Sequence, residues 1–302
     1  MHDVQDERRQ RLTGIALMCG AVALFAVLDA TAKHLSAQMP TSQIVAVRYV
    51  SAFLLAFALV NPIRHPQLAV TRRPLFQIIR SVLMLATTAF NFIALRYLQL
   101  DQTLSIMFSA PFLVALLAGP FLGERLDWRR WVAIGVGFGG VLLVTRPGTG
   151  GIHPAALLMF AGALCYAVYG IMTRALARTD SNETTLFYTN LVGVVCMLPV
   201  LPFVWTPPQD ALSWMLMLVL GFFGGLGHYL LILAHRLAPA SVLSPFIYSQ
   251  MIWMIALGYL VFGDVPNQWT LAGAAVVIGS GLYLIHRERR RRVVPPAPDI
   301  VV

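Results

Sequence analysis

The chain is poor in charge and nearly without lysine. Lys33 stands alone as a lysine among 302 residues, and only 12% of the chain is charged against 58% hydrophobic. Soluble domains carry about 25% charged and about 45–50% apolar residues. No G-x-x-x-x-G-K-[ST] loop is present, which excludes a nucleotide-hydrolysing motor of that type. Neither H-E-x-x-H nor G-x-S-x-G occurs, which removes the corresponding metalloprotease and hydrolase readings. Cys19, Cys165 and Cys196 lie inside apolar stretches and form no C-x-x-C pair, so no disulfide framework, metal site or cofactor is expected.

Long apolar runs fill the space that charge leaves. A hydrocarbon core of roughly 30 Å needs about 20 apolar helical residues per crossing. Ten runs meet that requirement, at 13–36, 42–61, 74–96, 101–122, 129–146, 154–175, 183–204, 211–235, 239–262 and 267–286. They lack period-2 alternation, so helices rather than a barrel are expected. The first run is too long for a signal-peptide core, no small-residue cleavage site follows it, and it is read as a retained helix. Seventeen of the 22 basic residues fall in alternate gaps and tails, among them Arg8, Arg9 and Arg11, Arg72 and Arg73, Arg129 and Arg130, and Arg289 to Arg292. Lys33, Arg96 and Arg146 fall at the other ends. This bias places both termini in the cytoplasm of a multi-pass inner-membrane protein. The net charge of +9 is therefore topological and not a nucleic-acid footprint.

The chain repeats itself. A shift of 140 residues pairs Ala94 with Ala234, Arg96 with Arg236, Ser109 with Ser249, Gly123-Glu124 with Gly263-Asp264, and Gly139 with Gly279. Nearer the starts, a shift of 141 pairs Met18 with Met159, Ala26-Val27 with Ala167-Val168, and Lys33 with Arg174. The expected units are a tail at 1–12, five helices at 13–148, five more at 149–286, and a basic, Pro-rich tail at 287–302. Five crossings is odd, so the second half enters inverted, an architecture that transporters use to build two gates around one central site.

Particular segments carry a family likeness: Leu28-Asp29-Ala30-Thr31-Ala32-Lys33, Val47-Arg48-Tyr49, Leu122-Gly123-Glu124-Arg125 and Arg236-Leu237-Ala238-Pro239-Ala240-Ser241. In these the chain resembles the EamA branch of the drug/metabolite transporter superfamily from Leu12 to His286. The resemblance implies an all-α membrane protein of ten helices and a small-molecule substrate. Similar proteins import riboflavin or S-adenosylmethionine, and others export amino acids and drugs.

Ionisable groups inside spans cost a few kcal/mol each and need partners or water. Asp29 and Arg48 lie at one depth on neighbouring spans and are expected to pair. Lys33, one turn beyond Asp29, competes. The group reads either as a structural ion pair that permits insertion or as part of a gate. Arg80, Met84, Thr87 and Asn91 form one stripe that faces a wet cavity, although Arg80 alone fits a snorkelling residue. Phe246, Gln250 and Trp253 share one face of the ninth span, as do Gly162, Tyr166, Tyr169 and Thr173 on the sixth. Aromatic faces with polar tips at mid-depth suit a planar, partly polar metabolite; packed core aromatics are the rival reading. His228 could carry a coupling proton or serve as a hydrogen-bonded structural histidine, and His235 is interfacial. Pro111 should kink or open the fourth span. Gly135-x-x-x-Gly139 and Gly221-x-x-x-Gly225 suit helix packing or a homodimer seam. Glu124 and Asp264 are expected to shape turns and cap the next helix.

The expectation is a secondary transporter, not an enzyme, that works in the bilayer by alternating access on a small molecule. Amino-acid or drug export and a gated facilitator or pore are the alternatives.

Overall fold

The structure, a computed structural model, describes residues 2–59, 66–122, 128–145, 153–176, 179–238 and 240–292. Among them every regular element is helical. The elements are α1 (His2–Ser36), α2 (Thr41–Leu59), a 3₁₀ turn (Pro66–Ala69), α3 (Pro74–Leu95), α4 (Leu100–Met107), α5 (Ala110–Leu122), α6 (Trp128–Thr145), α7 (Pro154–Leu176), α8 (Asn182–Met197), α9 (Leu201–Val204), α10 (Ala211–Leu237), α11 (Ala240–Leu243), a 3₁₀ segment (Ser244–Ser249), α12 (Gln250–Phe262) and α13 (Gln268–Arg292). Five helical stretches are long and apolar enough to cross a membrane: Arg9–Ser36, Pro74–Leu95, Pro154–Thr173, Ala211–Leu237 and Pro245–Phe262. Shorter apolar helices run over Thr41–Phe57, Leu100–Val114, Trp131–Thr145 and Gln268–Leu284.

Local chemistry sets the helix ends. Pro74 begins α3 at a position where its missing N–H costs nothing. Ser181 caps α8 by accepting from the Thr184 amide at 3.1 Å, and Asp210 caps α10 by accepting from the Ser213 amide at 2.7 Å. These bonds to Ser213, backbone first, hold the Asp210 carboxyl below its ordinary range. At the end of α12, Gly263 adopts φ 69°, the left-handed cap that glycine permits. Asn267, not Asp264, caps α13 by accepting from the Thr270 amide at 2.8 Å. Asp264 is engaged elsewhere, as described below; Glu124 lies outside the described residues.

Pro111 divides its span as expected. Helix α4 stops at Met107, Phe108 and Ser109 form a turn, and α5 starts at Ala110. The amides of Phe112 and Leu113 return to the Ser109 carbonyl, while Pro111 has none to offer. The ninth span breaks at the matching place: its 3₁₀ segment ends at Ser249, 140 residues after Ser109. The two breaks touch, with the Phe108 and Tyr248 rings 4.9 Å apart edge to face.

Packing follows the repeat. Counting α1 with α7, α2 with α8, α3 with α10, α4–α5 with α12 and α6 with α13, the neighbours exchange as the halves exchange. Helix α1 packs on α10 as α7 packs on α3. Likewise α2 packs on α10 as α8 packs on α3, and α1 meets α12 as α7 meets α4 and α5. The pairs α2–α8, α6–α13 and α4–α12 each join an element to its own counterpart.

Glycines on α10 make the closest contacts possible. A methyl group on Gly221 would run into Ser51 and the Ala52 amide of α2, and one on Gly227 would meet the Phe25 ring of α1. Gly221-x-x-x-Gly225 is thus an internal seam. Gly135 and Gly139 of α6 have nothing within 4 Å of a built Cβ. Gly221→Val should cost about 1–3 kcal/mol through overpacking. Gly139→Ala should be neutral or stabilising by up to about 1 kcal/mol through helix propensity. Thermal unfolding of both variants in one detergent checks the contrast.

Candidate functional site

Tyr166 faces inward on α7. Met159, Gly162 and Ala163 lie on the same face and are buried, while Leu157 and Leu164 on the opposite face are 57% and 41% exposed. Tyr166 is nonetheless 40% exposed. The ring of Tyr166 is thus open although its helical neighbours on that face are buried. Tyr169 stacks beside it, with centroids 5.8 Å apart and planes at 26°. Thr87 of α3 donates to the Gly162 carbonyl at 3.2 Å and holds α3 close to this face.

Arg80 sits behind Tyr169, its guanidinium 4.7 Å from the ring centroid. It does not snorkel. It is fully buried, donating to Thr173 Oγ1 at 3.2 Å, to the Thr185 carbonyl at 3.2 Å and to Thr189 Oγ1. The stripe expected to face a wet cavity therefore packs against α7 and α8 at the Arg80 end. Its other end, Asn91, is half-buried and reaches α1.

The ninth span corrects a second expectation. Phe246 lies in 3₁₀ backbone and Gln250 opens the α-helix. Four residues of 3₁₀ structure advance about a third of a turn past full circle, so Phe246 and Gln250 do not share a face. Phe246 packs against Met18, Val22 and Leu243. Gln250 is half-buried, and Trp253, one turn on, is 45% exposed next to the more exposed Ile252. Helix α4 packs on both α7 and α12, so it stands between the two aromatic elements.

The charged residues distribute differently from expectation. Asp29 accepts a hydrogen bond from Asn91 Nδ2 at 2.9 Å and makes no ion pair with Arg48 or Lys33. Arg48, 8% exposed, donates to Thr88 Oγ1 at 3.4 Å and lies 4.9 Å from the Tyr49 ring centroid; its Nε has no acceptor. The reason is that α3 presents Thr88 and Asn91 one turn apart, each holding one charge. His228 packs on Phe25, centroids 4.9 Å apart, within electrostatic reach of Arg48. His235 is exposed and bonds the Leu231 carbonyl at 2.8 Å.

Lys33 joins distant parts of the chain. Its ammonium donates to Asp264 Oδ2 at 2.7 Å and to the Leu98 carbonyl at 3.1 Å, and lies 4.8 Å from the Phe262 ring centroid. Asp101, 4% exposed, stands within electrostatic reach of both partners. Reading along the sequence missed this cluster. The repeat held the clue, because it pairs basic position 33 with 174 and acidic position 124 with 264.

A cavity of about 280 Å³ opens elsewhere, between α2, α8 and α10. Phe53, Phe57, Phe187 and Tyr229 line it, with Glu183 and Arg236 bonded at 3.0 Å at its edge. It contains none of the residues expected to bind substrate.

Comparison with known proteins decides the family. The sequence profile of the EamA-like transporter family matches residues 12–146 and again residues 153–286. The chain belongs to the EamA-like transporter family. It is 27% identical to an S-adenosylmethionine uptake transporter of Rickettsia felis, over 95% of this chain and 97% of the relative. A riboflavin transporter of Vibrio cholerae is 26% identical over 93% and 95%, and a pseudopaline exporter of Pseudomonas aeruginosa 24% identical over 88% and 93%. A crystal structure at 17% identity superposes with a TM-score of 0.62 over 93% of this chain and 99% of its own, a likeness of fold alone. This EamA-like protein is a multi-pass bacterial membrane transporter of a small molecule rather than an enzyme, and its all-α fold contains the family domain twice.

Arg80→Ala would remove the charge-assisted bonds to Thr173 Oγ1, the Thr185 carbonyl and Thr189 Oγ1. The expected loss is about 2–3 kcal/mol, the worth of hydrogen bonds to a buried charge. Arg80→Lys should restore only part of it, since one ammonium cannot span three acceptors on two helices. Unfolding midpoints in detergent measure both.

Proposed function

We propose that this EamA-like protein is a secondary transporter of the inner membrane with ten crossings in two inverted halves, 13–148 and 149–286. It moves an aromatic metabolite past Tyr166 by alternating access. The observation that carries this reading is the inward-facing yet open Tyr166, stacked on Tyr169 beside a buried arginine. Stacked rings with neighbouring polar groups hold a planar, partly polar solute by dispersion and a few directed bonds. Gln250 and Trp253 of α12 lie across α4 from this pair, and Asn91 of α3 is bonded to Asp29, so their part in binding is to reach the solute from other sides. Phe246 is left to packing. The S-adenosylmethionine and riboflavin names of the relatives point to uptake of a compound of that size.

The packing supports one conformational assignment. Lys33, Asp264 and the Leu98 carbonyl tie α1, the α3–α4 turn and the α12–α13 turn together at one end. At the opposite end α8 and α10 pack less closely than their counterparts α2 and α3, and the 280 Å³ cavity fills the gap. With the termini in the cytoplasm, as the arginine bias favours, the Lys33 end is outside and closed and the Arg236 end is inside and open. Lys33 then acts as the outer gate. Asp29 and Arg48 contribute to the central site, and His228 is placed beside them for proton coupling.

Counterflow in proteoliposomes tests the reading across a panel of S-adenosylmethionine, riboflavin, nucleosides and amino acids. Saturable exchange of one compound is expected. Tyr166→Ala and Gln250→Ala should each raise its KM about fivefold to tenfold, the loss of roughly 1–1.5 kcal/mol of stacking or bonding. Flux that rises linearly with concentration and shows no exchange would establish a pore instead.

A further inference from the structure

The cavity between α2, α8 and α10 plays no part in the proposed solute site, and its place on α10 tells what it opens to. Met215, Leu218, Phe222, Tyr229 and Arg236 follow one another at spacings of three, four or seven residues and form one stripe of that helix. The first four are 56%, 72%, 45% and 57% exposed, so the stripe is the outward face. The opposite face, with Leu220, Gly224 and Ala234, is buried, and α10 packs on α1 and α2. A stripe that is apolar along its length, then aromatic and basic at its end, suits a helix side turned to lipid, with the last residues at the membrane interface. Tyr229 and Arg236 belong to this stripe and also line the cavity, which is thus entered from the bilayer.

The lining separates into an apolar interior and a charged mouth. Inside its 280 Å³ stand Phe53 and Phe57 of α2, Phe187 of α8 and Tyr229. The Phe53 ring lies 6.1 Å from that of Phe57 and 6.2 Å from that of Phe187. Asn190 turns its amide onto its own helix, donating to the Leu186 carbonyl at 3.2 Å. Hydrocarbon matches this interior. At the mouth Arg236 Nη2 donates to Glu183 Oε1 at 3.0 Å, with the side chains 63% and 45% exposed. An ion pair so exposed contributes little to stability and gives way readily to a competitor. The matching ligand has an apolar tail, an anionic group for Arg236 and, a few bonds away, a cationic donor for Glu183. A purely anionic headgroup would meet the Glu183 carboxylate and be repelled.

We propose that this cavity is a binding site for an amine-bearing phospholipid. One acyl chain lies among Phe53, Phe57, Phe187 and Tyr229, and the headgroup spans the mouth with its phosphate on Arg236 and its ammonium on Glu183. Both bonds are charge-assisted, and the zwitterionic headgroup leaves the local charge balance unchanged. The site itself needs no assumption about the cargo. Its consequence rests on the conformational assignment above: the chain fills the gap between α8 and α10, so the bound lipid favours the arrangement open to the inside, and closing that end expels the chain.

The test uses the full-length protein, purified and stripped of lipid in detergent, with phosphatidylethanolamine, phosphatidylcholine and phosphatidylglycerol of identical chains. Native mass spectrometry counts the lipid retained. Phosphatidylethanolamine should bind one to one and at least about tenfold more tightly than phosphatidylcholine, whose quaternary nitrogen has no N–H to donate, the worth of one charge-assisted bond. Phosphatidylglycerol, without a cation, should also bind at least about tenfold more weakly. Glu183→Gln should abolish the preference for phosphatidylethanolamine over phosphatidylcholine, and Arg236→Gln should weaken both by about tenfold. Ala56→Phe, which fills the cavity, should prevent retention. The comparison of headgroups on the unmutated protein stands even where a variant fails to fold. Equal retention of the three lipids, or retention unchanged in Ala56→Phe, overturns the proposal. So does a raised KM for the counterflow compound in Ala56→Phe with lipid retention intact, which would assign the cavity to the solute's path. Failure of counterflow for every compound bears on the transporter reading alone, because lipid retention is measured without it.

Discussion

A charge buried in this bundle must be solvated by the protein, and the structure is organised by where each charge finds its partners. Polar groups within hydrocarbon need internal partners or water. Arg80 shows full satisfaction. Its donors reach Thr173 on α7 and Thr185 and Thr189 on α8, so one side chain of α3 fastens two helices of the other half. Lys33 does the same work at the far end, where α1 is fixed to the α12–α13 turn. Asp29 and Arg48 are the contrast. Their partners are a single neutral amide and a single hydroxyl, and this partial satisfaction sets them apart from the structural charges.

The helices were legible because the information that makes them is local. Apolar length, prolines at helix starts and polar caps placed 74–96 and 211–235 close to the observed Pro74–Leu95 and Ala211–Leu237. Pro111, whose ring cannot supply an amide, announced the break between α4 and α5. Other prolines carried the same message unread. Pro199 stops α8 at Met197 within a run expected to continue to residue 204, and Pro245 lies in the segment that winds as a 3₁₀ helix. That change of winding is what separates Phe246 from Gln250.

Side-chain partners were not legible in this way. Lys33 is 231 residues from Asp264, and Arg80 is 93 to 109 residues from its three acceptors. Helical spacing ranks neighbours on one helix, which made Lys33 the obvious rival for Asp29 and left Asp264 without a role beyond its turn. Arg80 looked like a snorkelling residue because its position near a span end was visible and the threonines of α7 and α8 were not. The shared face of Tyr166 and Gly162 was legible for a related reason. The place of Tyr166 on a face with Gly162 is a property of α7 alone.

The repeat adds a last step that neither half supplies alone. Ser109 and Ser249 occupy equivalent breaks, yet they are bonded unequally. Ser249 donates to the Phe246 carbonyl at 2.6 Å and approaches Cys19 Sγ at 3.8 Å, while the buried Ser109 hydroxyl has no partner. The helix neighbours are unequal as well: α3 touches both α1 and α2, and the corresponding approaches of α10 to α7 and α8 are slighter. The two halves thus share a fold and differ in packing. In the proposed cycle the other arrangement gives the second half the close packing now seen in the first. The two broken spans meet at the edge-to-face contact of Phe108 and Tyr248, so the equivalent breaks of the two halves are packed on one another.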